Sequence, residues 1–157
     1  MTETWVFDVD GCLIDSLSGS SLRPGAADLL VLLRARGCRV LLWSAGGAGY
    51  AAERATEHGL EGSVDGFHSK TRQDPSGPYD VDGLSPTSST LTFVDDRPED
   101  LAADADVIAV SPYLSHNPHD RAWTWWRHAP APPRDPRSSR AAAPPGEPKG
   151  AKVEYPQ

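Results

Sequence analysis

Two closely spaced pairs of carboxylates each follow an apolar, strand-like run. Asp8 and Asp10 follow TWVF, and Asp95 and Asp96 follow STLTFV. Like charges this close repel one another and raise each other's pKa values unless a cation joins them. Clustered carboxylate oxygens are ligands that Mg²⁺ prefers, so the two pairs together predict a metal site.

Two further apolar runs end on groups that could bind an anion. The run CRVLLW is followed by Ser44, Ala45 and Gly46, and Lys70 comes directly after SVDGFHS. A hydroxyl, free backbone N–H groups and an ammonium are donors that proteins offer to phosphate and carboxylate groups. Arg72 lies two residues from Lys70, so the sequence leaves open which of these two cations serves such a site.

Strand and helix patterns alternate along most of the chain. Short apolar runs predict strands, and longer segments with leucine or alanine at helical spacing predict helices. We therefore expect an α/β protein with a three-layer, Rossmann-like parallel sheet and helices on both faces. In such a sheet the carboxyl ends of the strands meet at one edge, which would bring the chemical groups together. The predicted strands are 4–9, 38–44, 63–69, 89–96 and 106–112, and the predicted helices are 26–37, 46–59 and 97–105.

The distribution of large apolar side chains divides the chain into three parts. Residues 1–115 carry the alternating pattern and form the predicted core domain. Residues 116–128 are rich in tryptophan, and we expect them to pack on that core, with a short helix over 119–128. Residues 129–157 contain almost no large apolar residue and are predicted to be disordered. Within the core, residues 71–89 predict a long irregular loop.

The charge of the chain is unevenly distributed. The 157 residues carry a formal net charge of −7. Residues 1–120 hold eight basic and nineteen acidic side chains, a net charge of −11, whereas residues 121–157 hold seven and three, a net charge of +4. The strong negative charge of residues 1–120 disfavours binding of nucleic acid and favours binding of divalent cations.

Cysteine usage and hydropathy bear on the compartment. Cys12 and Cys38 lie on separate predicted elements without a metal-binding spacing, so we expect reduced thiols. The sequence shows no targeting segment and no apolar run of membrane-spanning length. We therefore expect a cytoplasmic protein without a membrane partner.

The four strand-end motifs occur in the order that is found in one known family. FDVDG is similar to the first motif of the haloacid dehalogenase superfamily, a hydrophobic strand that ends in DxD, and LLWSAG is similar to the second. Lys70 in HSKTR fits the third motif, and LTFVDD fits the fourth. The motifs together span about residues 4–112. The chain thus resembles the phosphohydrolases of this superfamily, which implies a Mg²⁺-dependent phosphomonoester hydrolase.

The resemblance assigns roles to the residues of the first two motifs. Asp8 would be the nucleophile that forms an aspartyl-phosphate, and Asp10 would be the acid for the leaving group and then the base for water. Ser44 and the backbone N–H groups of Ala45 and Gly46 would bind the phosphoryl oxygens. Because Asp10 is present, the resemblance implies a phosphatase rather than a carbon–halogen hydrolase.

The third and fourth motifs would supply the cation and the remaining metal ligands. Lys70 would be the catalytic cation that neutralises the phosphoryl group and the crowded carboxylates. Mg²⁺ would be bound by Asp8, by the backbone carbonyl of Asp10 and by Asp96, with Asp95 bound to Lys70 or to a metal-bound water.

The spacing of the motifs leaves no room for the cap domain that many family members carry. Residues 11–23 are too few for one, and residues 46–69 are taken up by a predicted helix and strand. The resemblance therefore implies a capless phosphatase with an open active site. Such an enzyme acts on a phosphorylated small molecule or macromolecular end, or borrows a lid from a second copy in a homo-oligomer. The segment LRPGAADLL has some likeness to the capless carboxy-terminal-domain phosphatases, but it is too short to define the substrate.

Single motifs also have simpler interpretations. An isolated Asp-x-Asp-Gly is typical of a turn, and Ser44 or the Asp95-Asp96 pair could instead cap the helix that follows it. Trp43 either lines the site or, as its position before the strand end favours, packs beneath the sheet. Tyr79 in the irregular loop is an alternative aromatic contact.

Two other functions are compatible with the same fold class. A phosphoryl-accepting regulatory protein of the response-regulator type also gathers acids, a hydroxyl and a lysine, but its acid pair lies near the start and its phosphorylated aspartate on a middle strand. Here the order is reversed. A partner-binding protein could use the Trp-rich segment or the tail, although the presence of every catalytic residue type disfavours this alternative.

Overall fold

Five parallel strands form a sheet in a computed structural model of the protein, which describes residues 2–84 and 90–123. The strands are β1 (Glu3–Asp8), β2 (Arg39–Ser44), β3 (Gly66–Ser69), β4 (Thr90–Asp95) and β5 (Val107–Ala109), and the α-helices are α1 (Ala26–Ala35) and α2 (Ala48–Glu57). The strand order across the sheet is β3-β2-β1-β4-β5, and every neighbouring pair is parallel. The predicted α/β class with a parallel sheet is confirmed, and so is each of the five predicted strands.

The central strand of the sheet is β1, which is covered on both faces. Val6 and Phe7 point to opposite faces and both are fully buried. Strands covered on both sides need apolar residues at nearly every position, which explains the continuous apolar run that precedes the first aspartate. The register places Asp8 beside Trp43 of β2 and Phe7 beside Val94 of β4.

Both α-helices pack on one face of the sheet, the face of Phe7. Helix α1 buries leucines at helical spacing. The buried side chains of α2 are alanines, and such small side chains let this helix lie close to the sheet. Each buried leucine contributes about 2 kcal/mol of hydrophobic free energy. The buried helical side chains in this cluster are Ala26, Leu29, Leu30, Leu33, Ala51 and Ala55.

The opposite face, that of Val6, is covered by irregular chain. Leu84 and Leu101 are buried there against Trp43 and Phe93. Two backbone hydrogen bonds hold the irregular segment 71–84 in place: the Tyr79 N–H donates to the carbonyl of Asp100 at 3.0 Å, and the Asp80 N–H donates to the carbonyl of Thr71 at 2.7 Å. Within the described residues, the predicted long loop is irregular, as expected, and it covers this face of the sheet with Tyr79, Val81 and Leu84.

The predicted helix over residues 97–105 is wrong. Only one 3₁₀ turn forms there, Pro98–Asp100, and the chain is extended at Leu101. Leu101 is the one large apolar residue in this stretch, so a helix would have no apolar stripe to bury and little to offset the cost of ordering it. The extended backbone instead turns Leu101 into the second face of the sheet.

The buried side chain of Arg23, in the loop before α1, binds residues of the segment 111–123. The Arg23 guanidinium is fully buried and binds both carboxylate oxygens of Asp120, with Nε–Oδ1 at 2.8 Å and Nη2–Oδ2 at 3.1 Å. Nη2 also donates to the carbonyl of Ser111 at 2.7 Å. The guanidinium carbon lies 5.2 Å from the ring centre of Tyr113 and 5.6 Å from that of Trp123.

The Trp-rich segment is described only as far as Trp123. Trp123 is buried, and its ring packs edge-on against Phe7 at 6.1 Å. Residues 119–123 form turns rather than the start of the predicted helix. The remainder of that predicted helix and the tail 129–157, predicted to be disordered, lie outside the described residues.

Two smaller findings concern the thiols and hydropathy. Cys12 and Cys38 are both buried and free, in agreement with the prediction of two separate thiols. Across residues 2–84 and 90–123, no helix combines the length and the apolar character that crossing a membrane requires.

Candidate functional site

The polar groups singled out in the sequence collect at the carboxyl edge of the sheet. Asp8, Ser44 and Asp95 are the last residues of β1, β2 and β4, three strands that are neighbours in the sheet. All three are buried. The parallel arrangement therefore brings side chains together that are up to 87 residues apart in the sequence.

Lys70 joins two of the carboxylates. It directly follows β3, and its backbone N–H donates to the carbonyl of Ser44 at 2.9 Å, which directs the chain across the end of β2. Its Nζ lies 2.9 Å from Asp8 Oδ1 and 2.9 Å from Asp95 Oδ2. The side chain of Lys70 is only 6 % exposed.

Aromatic rings surround the rest of the ammonium group. Lys70 Nζ lies 5.1 Å from the ring centre of Trp43 and 5.3 Å from that of Tyr79. Cation–π attraction of this kind is strongest where water is excluded. Trp43 is fully buried beneath the sheet, as its position favoured, yet it also contacts the catalytic candidate, and Tyr79 is the second aromatic contact.

Arg72 does not take part in the carboxylate cluster. Its guanidinium is exposed and stacks on the outer side of Tyr79, with the carbon 4.5 Å from the ring centre. Its hydrogen bonds go to the carbonyl of Gly77 and to the hydroxyl of Tyr79. Of the two cations left open by the sequence, Lys70 is the one that the structure places among the acids.

Three carboxylates form a cluster that could hold a metal ion. One carboxylate oxygen each from Asp8, Asp95 and Asp96 lies within 4.8 Å of the others. A β-carbon on Gly11 would lie 2.6 Å from Asp96 Oδ2, and Gly11 has a φ of +76°. Only glycine meets both conditions, so the residue after the first pair of aspartates leaves room for the Asp96 carboxylate.

The cluster holds more negative charge than Lys70 balances. Burial raises the pKa of Asp8 well above its usual value even though Lys70 acts in the opposite direction, and burial also raises the pKa of Asp95. Burial would lower the pKa of Lys70, but Asp8 and Asp95 outweigh it and raise that pKa. Oxygen donors with surplus negative charge fit a hard divalent cation.

Asp10 is held apart from this cluster. Its carboxylate is partly exposed and accepts a hydrogen bond from the hydroxyl of Tyr50, with 2.6 Å between the two oxygens. Tyr50 lies in the first turn of α2. The two aspartates of the first pair thus have different surroundings, one beside Lys70 and one beside a phenol.

The turn after β2 carries the predicted anion-binding groups. Ser44 is buried, and its Oγ accepts the N–H of Gly46 at 3.0 Å, whereas Ala45 and Gly46 are exposed. Helix α2 begins later than predicted, and Ser69 Oγ, not Ser44, accepts the N–H of its first residue, Ala48, at 2.9 Å. The simpler interpretation of Ser44 as the cap of this helix is therefore wrong.

Sequence reasoning missed two residues at this edge. Ser69 and Tyr50 both contact the elements that carry the site, and neither was singled out. Ser69 directly precedes Lys70, so its place at the end of β3 was a signal. Tyr50 is 40 residues from Asp10, and only the packing of α2 reveals their contact.

No model of a known protein family matches this chain. No curated protein matches it either. The resemblance to the haloacid dehalogenase superfamily therefore depends on the four motifs and on what their residues can do together.

Proposed function

We propose that the protein is a Mg²⁺-dependent phosphomonoester hydrolase that acts through an aspartyl-phosphate. One observation carries the proposal: Lys70 lies 2.9 Å from both Asp8 and Asp95, beside a third carboxylate, while Asp10 is held separately by Tyr50. A phosphatase of this kind needs an anionic nucleophile, positive charge beside it and a separate acid. Asp8, Lys70 and Asp10 would supply these three groups in turn.

In the first half of the proposed reaction, a carboxylate oxygen of Asp8 attacks phosphorus. The bond from phosphorus to the ester oxygen breaks, and Asp10 donates its proton to that oxygen, so that the alcohol leaves neutral. Lys70 balances the charge of the attacking carboxylate and of the phosphoryl oxygens. The Ser44 hydroxyl and the backbone N–H of Ala45 donate hydrogen bonds to the phosphoryl oxygens, and the N–H of Gly46, which donates to Ser44 Oγ, orients that hydroxyl.

In the second half, water attacks the phosphorus of the aspartyl-phosphate. Asp10, now a carboxylate, accepts a proton from that water, and the bond between phosphorus and the Asp8 oxygen breaks. Inorganic phosphate leaves and Asp8 is restored as a carboxylate. The two steps together consume one water and one phosphomonoester, and Asp10 ends in the protonation state in which it began.

Asp8, Asp96 and the backbone carbonyl of Asp10 would hold Mg²⁺, with Asp95 bound to Lys70. When bound, the ion supplies positive charge that offsets the repulsion between the anionic nucleophile and an anionic substrate. The surplus negative charge of the cluster supports this assignment.

The alternation of strand and helix patterns carries a finer expectation for the fold, three layers with helices on both faces, and the resemblance adds the absence of a cap. We propose that residues 71–84 and the turn Pro98–Asp100 take the place of the second helical layer. The two positions where a cap would be inserted support a capless enzyme, because residues 9–25 form a loop and residues 45–65 hold α2 and one 3₁₀ turn. We propose an open site that accepts a phosphorylated small molecule or macromolecular end, in a cytoplasmic protein.

The test is hydrolysis of an aryl phosphate by the purified chain. We expect turnover with Mg²⁺ that EDTA abolishes, and a loss of about 10³-fold or more in Asp8→Asn. Asp104→Asn is the matched control, because it removes an exposed carboxylate outside the cluster and should keep full activity. Circular dichroism shows whether both variants are folded.

Two results would contradict the proposal. A folded, Mg²⁺-loaded protein that turned over no phosphomonoester in a broad panel would exclude a phosphatase. Durable labelling of Asp8 by a small phosphodonor, without turnover, would instead indicate the phosphoryl-accepting regulatory protein.

A further inference from the structure

Tyr50 is the residue of α2 that reaches the first pair of aspartates. Its hydroxyl donates to Asp10 Oδ1, with 2.6 Å between the oxygens. With Oδ1 engaged in this way, Oδ2 is the oxygen left to carry a proton to or from a substrate. The contact therefore defines which side of the carboxyl group can face the reaction.

Two neighbours contact the ring of Tyr50. A β-carbon on Gly46 would lie 3.0 Å from Tyr50 Cδ1 and 3.1 Å from Cγ, so the ring packs directly on the backbone of the anion-binding turn. The guanidinium carbon of Arg54, one helical turn further on, lies 5.4 Å from the centre of the ring. A ring held this closely has little freedom to withdraw its hydroxyl from Asp10.

The same side of α2 contacts the loop that follows Asp10. One turn beyond Arg54, His58 Nε2 makes a hydrogen bond of 2.8 Å with the carbonyl of Gly19. Tyr50 and Arg54 lie one turn apart on α2 and His58 follows directly after its last residue, so that Tyr50 contacts Asp10 at one end and His58 contacts Gly19 at the other. The position of the phenol relative to the loop is thus set by two separate contacts.

We infer that Tyr50 is a positioning residue for Asp10, which holds the carboxyl group in the orientation needed for proton transfer to the leaving oxygen and from water. This inference depends on the proposed function, since it concerns the acid and base of that reaction. It adds a residue that the four motifs do not contain. In a site without a cap, a partly exposed carboxylate needs such a partner to keep one orientation, and misplacement by about 1 Å costs up to about 10²-fold in rate.

Substrates with different leaving groups can distinguish a positioning role of Tyr50 from a general structural role. Tyr50→Phe keeps the ring and removes only the hydroxyl. An alkyl phosphate needs a proton on its leaving oxygen, whereas a nitrophenyl phosphate releases a stable anion. We expect kcat/KM of Tyr50→Phe to fall about tenfold or more for the alkyl phosphate and less than about threefold for the nitrophenyl phosphate.

Two further measurements test the same point. Because Asp10 also activates water, Tyr50→Phe should accumulate aspartyl-phosphate and show a burst with the nitrophenyl substrate. In an Asp10→Asn background, Tyr50→Phe should cause no further loss for the alkyl phosphate, since residues that act as one unit are not additive.

Tyr113→Phe is the matched control. It removes a buried tyrosine hydroxyl that accepts the N–H of Asn117 at 3.0 Å, outside the site. We expect lower stability in this variant but an unchanged ratio between the two substrates. If Tyr50→Phe fails to fold, Tyr50→Leu provides the same comparison, because it too lacks the donor.

The outcomes distinguish the two levels of the proposal. Wild-type protein that hydrolyses neither substrate overturns the proposed function and this inference with it. Wild-type protein that hydrolyses both, together with a Tyr50→Phe variant that loses activity equally on both or on neither, leaves the phosphatase standing and overturns the positioning role.

Discussion

Among residues 2–84 and 90–123, two buried cationic groups contact both carboxylates and aromatic rings, and they differ in charge balance. Arg23 lies between Tyr113 and Trp123 and binds both oxygens of one carboxylate, that of Asp120. Lys70 lies between Trp43 and Tyr79 and binds one oxygen from each of two carboxylates.

The surroundings of the two cations lead to opposite effects on their acids. Burial disfavours ionisation of Asp120, but hydrogen bonds from Arg23 and from the backbone of Ala122 outweigh it and lower the pKa. At the other site, burial outweighs Lys70, and the pKa of Asp8 is raised. A matched pair with every oxygen satisfied is suited to holding the fold, whereas an unmatched cluster is suited to binding a further cation or reacting. Residue types alone would not have distinguished the Arg23 site from the Lys70 site, since both combine a cation, carboxylates and aromatic rings.

The largest expected effect is on catalysis at the unmatched cluster. We predict that Lys70→Met lowers kcat/KM for an aryl phosphate by about 10³-fold, equivalent to about 4 kcal/mol, because the developing charge loses its nearest cation. Steady-state kinetics on folded protein measures this. Arg72→Met, which removes the exposed neighbouring cation, should stay within about threefold, and a larger loss there than in Lys70→Met would reverse the assignment.

The next effect is on stability at the matched pair. We predict that Arg23→Met lowers the free energy of unfolding by about 3 kcal/mol, since Asp120 and the carbonyl of Ser111 lose their buried partner. Denaturant titration measures the change. Arg97→Met removes an arginine that is 66 % exposed and should change the free energy by about 0.5 kcal/mol or less. Equal effects of the two variants would show that the buried pair does not stabilise the fold.

A divalent cation should distinguish the two regions directly. Mg²⁺ at about 100 times its Kd should stabilise the wild-type fold by about 2.7 kcal/mol, because it binds the folded cluster and not the unfolded chain. Thermal unfolding with and without Mg²⁺ measures this independently of activity. Asp96→Asn should abolish the stabilisation, whereas Asp120→Asn should leave it intact. Stabilisation that survives in Asp96→Asn would place the ion elsewhere.

The smallest effect concerns acid stability at the matched pair. The folded pKa of Asp120 lies below its unfolded value of about 3.9, so its contribution to stability is fully present above that value and is lost as pH falls toward the folded pKa. We predict that Asp120→Asn loses about 1 kcal/mol at pH 7 and that the difference from wild type shrinks below about pH 4. A constant difference over this range would mean that the carboxylate charge is not involved.

The sequence predicted the parts of the molecule that depend on local pattern. Apolar runs identified all five strands, and the rule that parallel strands end at one edge brought Asp8, Ser44 and Asp95 together. The predicted helix over residues 97–105 was wrong because Leu101 is the one large apolar residue in that stretch. A helix there would have buried too little, and only the packed structure shows which way the chain turns.

Long-range contacts of residues that do not lie at the strand ends could not be predicted from the sequence. The sequence assigned Arg23 no role beyond its place in LRPGAADLL, and its partner Asp120 is 97 residues further on. Tyr50 and Asp10 meet because α2 packs beside the loop after β1, and no spacing encodes that contact. Such pairs depend on the relative placement of elements, which periodicity does not determine.

The irregular segment 71–84 both contacts the candidate site and covers the hydrophobic core, so its mutations would affect the site and the stability of the fold together. Tyr79 contacts Lys70 with its ring, while its backbone N–H holds this segment against Asp100. A mutation of Tyr79 that altered the surroundings of Lys70 would therefore also loosen the packing over the hydrophobic core. For the proposed phosphatase, new substrate preferences should therefore evolve more readily at exposed positions of α2 such as Gly49 and Glu53, where a side chain can change without uncovering the sheet.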